Sequence, residues 1–147
     1  MERSGATRAD RGVARAALAV EFLKQHREAE AVAQLRDALR LQPEITRTNR
    51  GLIWANNLAW ILATHEDPKL RDGAEAVRWA EQVVAADGSA DPATLDTLAA
   101  AFAEAGRFDD AIGVANRMAE LATEKPEIRS VAQQRIELFR AGRPVRE

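Results

Sequence analysis

One short pattern recurs along this 147-residue chain and restricts its fold more than any other feature. Leu18-Ala19, with Phe22 four residues after the leucine, stands thirteen residues ahead of Ala31. Leu98-Ala99, with Phe102 four residues on, stands thirteen ahead of Ala111. A third copy, Leu58-Ala59 with Leu62, stands eighteen ahead of Ala76, so its intervening turn is five residues longer. A four-residue step returns to the same face of an α-helix. Each unit is therefore one stripe on a first helix, and the alanine that follows lies early in a second. Self-similarity of this kind is the mark of helical hairpins stacked side by side, because one hairpin alone cannot bury its apolar face.

Helical periodicity fills the intervals between turns. Seven helices are expected, over about 12–25, 29–41, 52–64, 73–86, 92–105, 108–122 and 126–141. Ala14, Leu18, Ala19 and Phe22 share a face of the first, and Ala31, Leu35, Ala38 and Leu39 of the second. Trp54, Leu58, Ile61 and Leu62 do the same in the third, and Ala76, Ala80, Val83 and Val84 in the fourth. Pro43 ends the second helix, and the polar stretch 44–51 reads as a connection. Asp67-Pro68 marks a loop over 65–72. Asp91 followed by Pro92 is an N-cap acceptor and a proline at the first helical position. Gly106 supplies the left-handed residue that ends the fifth helix. Ala, Leu, Glu, Arg and Gln dominate the composition, and these favour helices.

With those positions in place, the chain resembles the tetratricopeptide repeat family, whose period is about 34 residues. The repeat over about 92–125 matches best, through Leu95, Leu98-Ala99, Phe102, Gly106, Phe108, Ala111, Ala115 and Met118. The repeat over about 12–45 matches at Leu18-Ala19, Phe22, Ala31, Ala38 and Pro43. It has Arg15 where the family prefers a large apolar residue and His26 where it prefers Gly. The repeat over about 52–86 departs most, with its long turn. The resemblance implies an all-α right-handed superhelix: three antiparallel helix pairs plus a capping helix over about 127–141. Residues 1–11 are expected to be a flexible arm and 142–147 a tail. Asn56-Asn57-Leu58-Ala59-Trp60 and the ending over 135–144 also look like the last repeats of long bacterial repeat proteins, which carry further domains.

Reactive constellations are sparse. There is no cysteine, and the net charge of −2 gives no push toward nucleic acid or a membrane surface. His26 and His65 lie in different turns without a second His at metal spacing. No Ser sits in a Gly-x-Ser-x-Gly elbow, and neither phosphate-binding glycine motif occurs. Asp87-Gly88-Ser89-Ala90-Asp91 reads as a turn and a cap, not a calcium loop. The amino terminus lacks the apolar core of a signal peptide, and the apolar stretch 52–63 carries Asn56 and Asn57 in its middle. A non-enzymatic cytoplasmic protein without cofactor or metal is expected, with a protein or peptide partner or a second copy of itself.

The resemblance also implies where a guest would sit, since first helices of such repeats line a concave groove. That face holds Val13, Ala16, Val20, Leu23 and Lys24 in the first repeat and Ile53, Asn56, Asn57 and Trp60 in the second. The third contributes Ala93, Asp96, Thr97, Ala100 and Glu104. Val20, Lys24, Asn56, Asn57, Trp60, Asp96 and Ala100 are the leading candidates. Asn can both donate to and accept from a peptide backbone, and aromatic residues dominate binding hot spots. One family subtype grips the carboxylate end of chaperone tails through Lys, Arg and Asn. The matching positions here are Ala16, Val20, Asn57, Ala93 and Thr97, and only Asn57 fits. An apolar or helical guest, or self-association, suits the apolar first repeat better.

Overall fold

The computed structural model describes residues 7–88 and 90–147. The first six residues of the expected arm and Ser89 lie outside the described residues. Among those described, regular structure is helical throughout: α1 (Arg8–Lys24), α2 (Glu28–Leu41), a 3-10 turn (Pro43–Arg47), α3 (Asn49–Thr64), α4 (Gly73–Ala86), α5 (Pro92–Glu104), α6 (Phe108–Leu121) and α7 (Pro126–Arg140). The chain divides into two compact units, Met1–Ala55 and Asn56–Glu147.

In the first unit, α1 and α2 pack against each other. Ala16 and Ala19 from α1, and Ala31, Leu35, Ala38 and Leu39 from α2, are buried. Helix α1 begins at Arg8, inside the stretch expected to be an arm. The cause is a reciprocal cap. The Thr7 hydroxyl accepts from the Asp10 N–H at 3.0 Å, and the Asp10 carboxylate accepts from the Thr7 N–H at 2.9 Å. The bond from the Thr7 N–H, with a second that the Thr7 hydroxyl donates to the same carboxylate at 2.8 Å, holds the Asp10 carboxyl below its ordinary value. Arg15, the departure from the family pattern, reaches across to α2, where it meets Asp37 at 3.4 Å and Gln34 at 3.2 Å. Helix α3 also starts earlier than expected, because Thr48 caps it: its Oγ1 accepts from the Gly51 N–H at 3.1 Å.

In the second unit, α5 and α6 pack together and repeat the first hairpin in detail. His26 has φ +56°, and Gly106, eighty residues later, has φ +79°. The next N–H closes the same turn in both: Arg27 to the Phe22 carbonyl at 2.9 Å, and Arg107 to the Phe102 carbonyl at 2.8 Å. Each arginine then covers the ring whose carbonyl it caps, at 4.7 Å and 4.5 Å from the centroid. The left-handed conformation costs a residue with a Cβ roughly 1–2 kcal/mol. His26 bears that cost to make a turn that Gly106 makes freely.

The long turn between α3 and α4 is pinned from inside. The Arg71 guanidinium donates to the His65 carbonyl at 2.7 Å, the Glu66 carbonyl at 2.9 Å and Glu104 on α5 at 3.1 Å. Asp72 caps α4 by accepting from the Glu75 N–H at 3.0 Å. At Gly73 the helices come so close that a Cβ would lie 2.7 Å from the Ala105 nitrogen. Helices α4 and α5, α5 and α6, and α6 and α7 pack pairwise. Ala59, Ala76, Ala99 and Ala111 are completely buried. Replacing Ala111 with Leu should cost about 1–3 kcal/mol by overpacking. A denaturant midpoint equal to that of the unmodified chain would show that the position is not a helix crossing.

Leu18 and Leu98 are equivalent in sequence yet differ in burial, at 44% and 7% exposed. Leu98 lies beside Val84 at the end of α4. No helix precedes α1 among the described residues to cover Leu18 in the same way.

Candidate partner-binding surfaces

The first unit carries an uncovered apolar surface. Val13, Ala16, Ala17 and Val20 of α1 and Arg50, Ile53 and Trp54 of α3 line a shallow groove of about 290 Å³. Val13, Val20 and Ile53 are 36%, 41% and 60% exposed, and Trp54 is buried beneath them. The sequence places these aliphatic residues on the same helix faces as the groove expected of a tetratricopeptide array. Of the leading candidates, Val20 lies in this groove. Lys24 lies at the end of α1, solvent-exposed and paired with Glu21 at 3.3 Å.

In the second unit the candidate residues meet other parts of the chain. Ala100 is completely buried. Asp96 receives a two-pronged hydrogen bond from Arg135 of α7, at 2.8 Å and 3.1 Å. That bond, more than the charge of Asp96 or Glu147, holds the guanidinium more firmly protonated than usual, against the opposing pull of burial. The same guanidinium lies 5.8 Å from the Trp60 ring centroid. Trp60 is half-buried, and its indole N–H donates to the Glu147 carboxylate at 3.1 Å. Asn56 and Asn57 are half-buried on α3, and the Asn56 side-chain oxygen is buried without a hydrogen-bond donor.

The residues that sequence reasoning passed over are Arg135, Val145, Arg146 and Glu147. Helix α7 ends like α1 and α5: Gly142 has φ +69°, and the Arg143 N–H bonds to the Leu138 carbonyl at 3.1 Å. Pro144 then disfavours a helical conformation for Arg143, and the chain leaves the helix without regular structure. The segment from Pro144 to Glu147 runs back over the ends of α5 and α3. Val145 is 2% exposed. Arg146 donates to Glu104 at 2.7 Å, and the Glu147 N–H bonds to the Thr64 carbonyl at 2.9 Å. The one signal for this in the sequence is an isolated valine after a helix-ending glycine and a proline.

The energies of this docked segment nearly cancel. Burying a valine contributes about 1.5–3 kcal/mol. Three partly exposed hydrogen bonds add roughly 0.5–1.5 kcal/mol each. Ordering four residues costs about 1–2 kcal/mol apiece.

A second depression, of about 470 Å³, has Val84, Leu95, Leu98 and Phe102 as its floor and Asp109, Asp110 and Arg117 at its edge. Asp110 is paired with Arg107 and Arg117 with Glu120. Among the described residues no three His, Asp or Glu side chains gather as a metal site, and no helix is long and apolar enough to cross a membrane. No protein-family model matches the chain, and no curated protein matches it in sequence.

Proposed function

We propose that this chain is a non-enzymatic protein-interaction module of the tetratricopeptide kind, built of three helix pairs and a capping helix in a right-handed solenoid. Its first helices receive an apolar peptide or one face of a partner helix. The observation that carries this reading is the uncovered strip of Val13, Val20 and Ile53 around the groove of the first unit. Exposed aliphatic clusters of this kind mark interaction surfaces. Valine and isoleucine at helical spacing suit the i, i+3, i+4 anchors of an amphipathic helix. Arg50 at the groove edge favours a guest with a carboxylate near its apolar stripe.

A photo-crosslinking side chain at Ile53 should capture a discrete partner in cells that produce the protein, and one at Arg129 on α7 should not. Val20→Asp should abolish capture at position 53 and leave the helical circular-dichroism signal intact. Equal capture at both positions, or capture indifferent to Val20→Asp, would remove the groove from consideration. If the captured protein is a second copy of the chain, the module self-associates through the same surface.

A further inference from the structure

The second unit holds a short peptide segment across the ends of α3 and α5, and that peptide is part of the same chain. We infer that the surface beneath residues 144–147 is a second docking site, for an extended partner segment that carries a small apolar residue followed by a basic and then an acidic one. The chain's own Pro-Val-Arg-Glu segment occupies this site and must be displaced for the partner to enter. The inference extends the reading of first-helix faces as docking surfaces, but it uses different residues from the groove around Ile53, so either can fail alone.

The seat has chemistry matched to each residue of its occupant. Val145 is buried. Glu104 accepts from Arg146, while its other oxygen is fixed by Arg71 at 3.1 Å, so the acceptor is held in place before any peptide arrives. The Trp60 indole N–H offers a donor to an acidic side chain, with Arg135 close to the same ring. The Thr64 carbonyl, at the end of α3, accepts from a peptide N–H. That carbonyl belongs to the last turn of its helix, where carbonyls lack helical partners and need an outside donor. A buried seat therefore meets residue 145, a fixed acceptor meets residue 146, and a donor and a backbone carbonyl both meet residue 147. Such a set of contacts distinguishes one side-chain pattern from another.

The occupant joins α7 through a turn at Gly142. Gly142 takes the left-handed conformation with open space around it, so rotation there moves the segment without disturbing α7. Competition between a tethered segment and a free one is set by the effective concentration of the tether. A partner thus binds more weakly to the intact chain than to one whose segment is released.

The test uses a fluorescein-labelled peptide of residues 141–147, followed by anisotropy. Three proteins are compared: the intact chain, a variant ending after Arg143, and full-length Val145→Asp. The peptide should bind the shortened variant and Val145→Asp at least tenfold more tightly than the intact chain. A peptide carrying Asp in place of Val145 should lose at least tenfold, and Trp60→Phe in the shortened variant should weaken binding severalfold. Equal affinity for all three proteins, or no binding to a folded shortened variant up to millimolar peptide, overturns the proposal. Loss of helicity in both the shortened variant and Val145→Asp also overturns it, because the segment is then part of the core. Dimers of the intact chain that grow with concentration and vanish on shortening overturn it as well, since the segment then serves a second copy.

Discussion

Phe139→Ala should lower the free energy of unfolding of the second unit by about 3–5 kcal/mol, the range for removing a large buried aromatic. Phe139 is the largest of the fully buried side chains. It lies on α7 with Ala132 and Ile136, the face that is buried while α7 packs against α6. Truncation leaves a void that the neighbours refill only in part, so the cost exceeds the transfer energy of the ring alone. Its carbonyl also accepts from the Gly142 N–H at 2.9 Å in the turn that launches the docked segment. Loosening α7 should therefore release that segment too. Urea titration followed by circular dichroism measures the loss, and hydrogen exchange on α7 amides shows whether α7 opens separately, as terminal repeats can. A change below about 1 kcal/mol would show that the α7–α6 contact is not part of the core.

Helix α7 also shows how far the sequence could be read. Pro126 and Gly142 bound it as the sequence expects, whereas Arg135, whose charge alone assigns it to solvent, is drawn into the pair with Asp96. The signals that match the structure are local: Asp91 before Pro92, and Gly106 after α5. Each acts on its own turn of backbone, so sequence proximity is enough to reveal it. The early start of α1 is equally local, but its box uses Asp10 in place of the usual Glu or Gln, which hides it from the pattern. What sequence could not show is long-range. Arg135 and Asp96 are 39 residues apart, and Trp60 and Glu147 are 87 apart. The family resemblance assigns Asp96 and Trp60 to a groove face. It carries no information about which side chain arrives from elsewhere to meet them, and that arrival decides whether a residue is available to a guest.

Asp96 is the residue on which this distinction can be measured. Its pair with Arg135 is largely desolvated, the two side chains being 16% and 17% exposed. Removing one partner of a fully buried pair costs about 3–5 kcal/mol, because the other charge is left without compensation. Some water reaches this pair, so Asp96→Ala should cost less, about 2–3 kcal/mol, close to the upper range for a hydrogen bond to a charged group. Arg135 stays protonated in either protein, so raising the pH cannot relieve the loss. Asp96→Leu combined with Arg135→Leu should recover most of the stability, since an apolar pair of similar volume removes the orphaned charge. Closed with the single Asp96→Leu and Arg135→Leu variants, the double-mutant cycle should give a coupling energy of about 2 kcal/mol between the two positions. If Asp96→Ala leaves the denaturant midpoint unchanged while peptide binding falls, Asp96 belongs to the guest rather than to α7. If stability falls and the cycle shows coupling, Asp96 holds α7 in place, and peptide binding depends on it only through the surface that α7 and the segment after it complete.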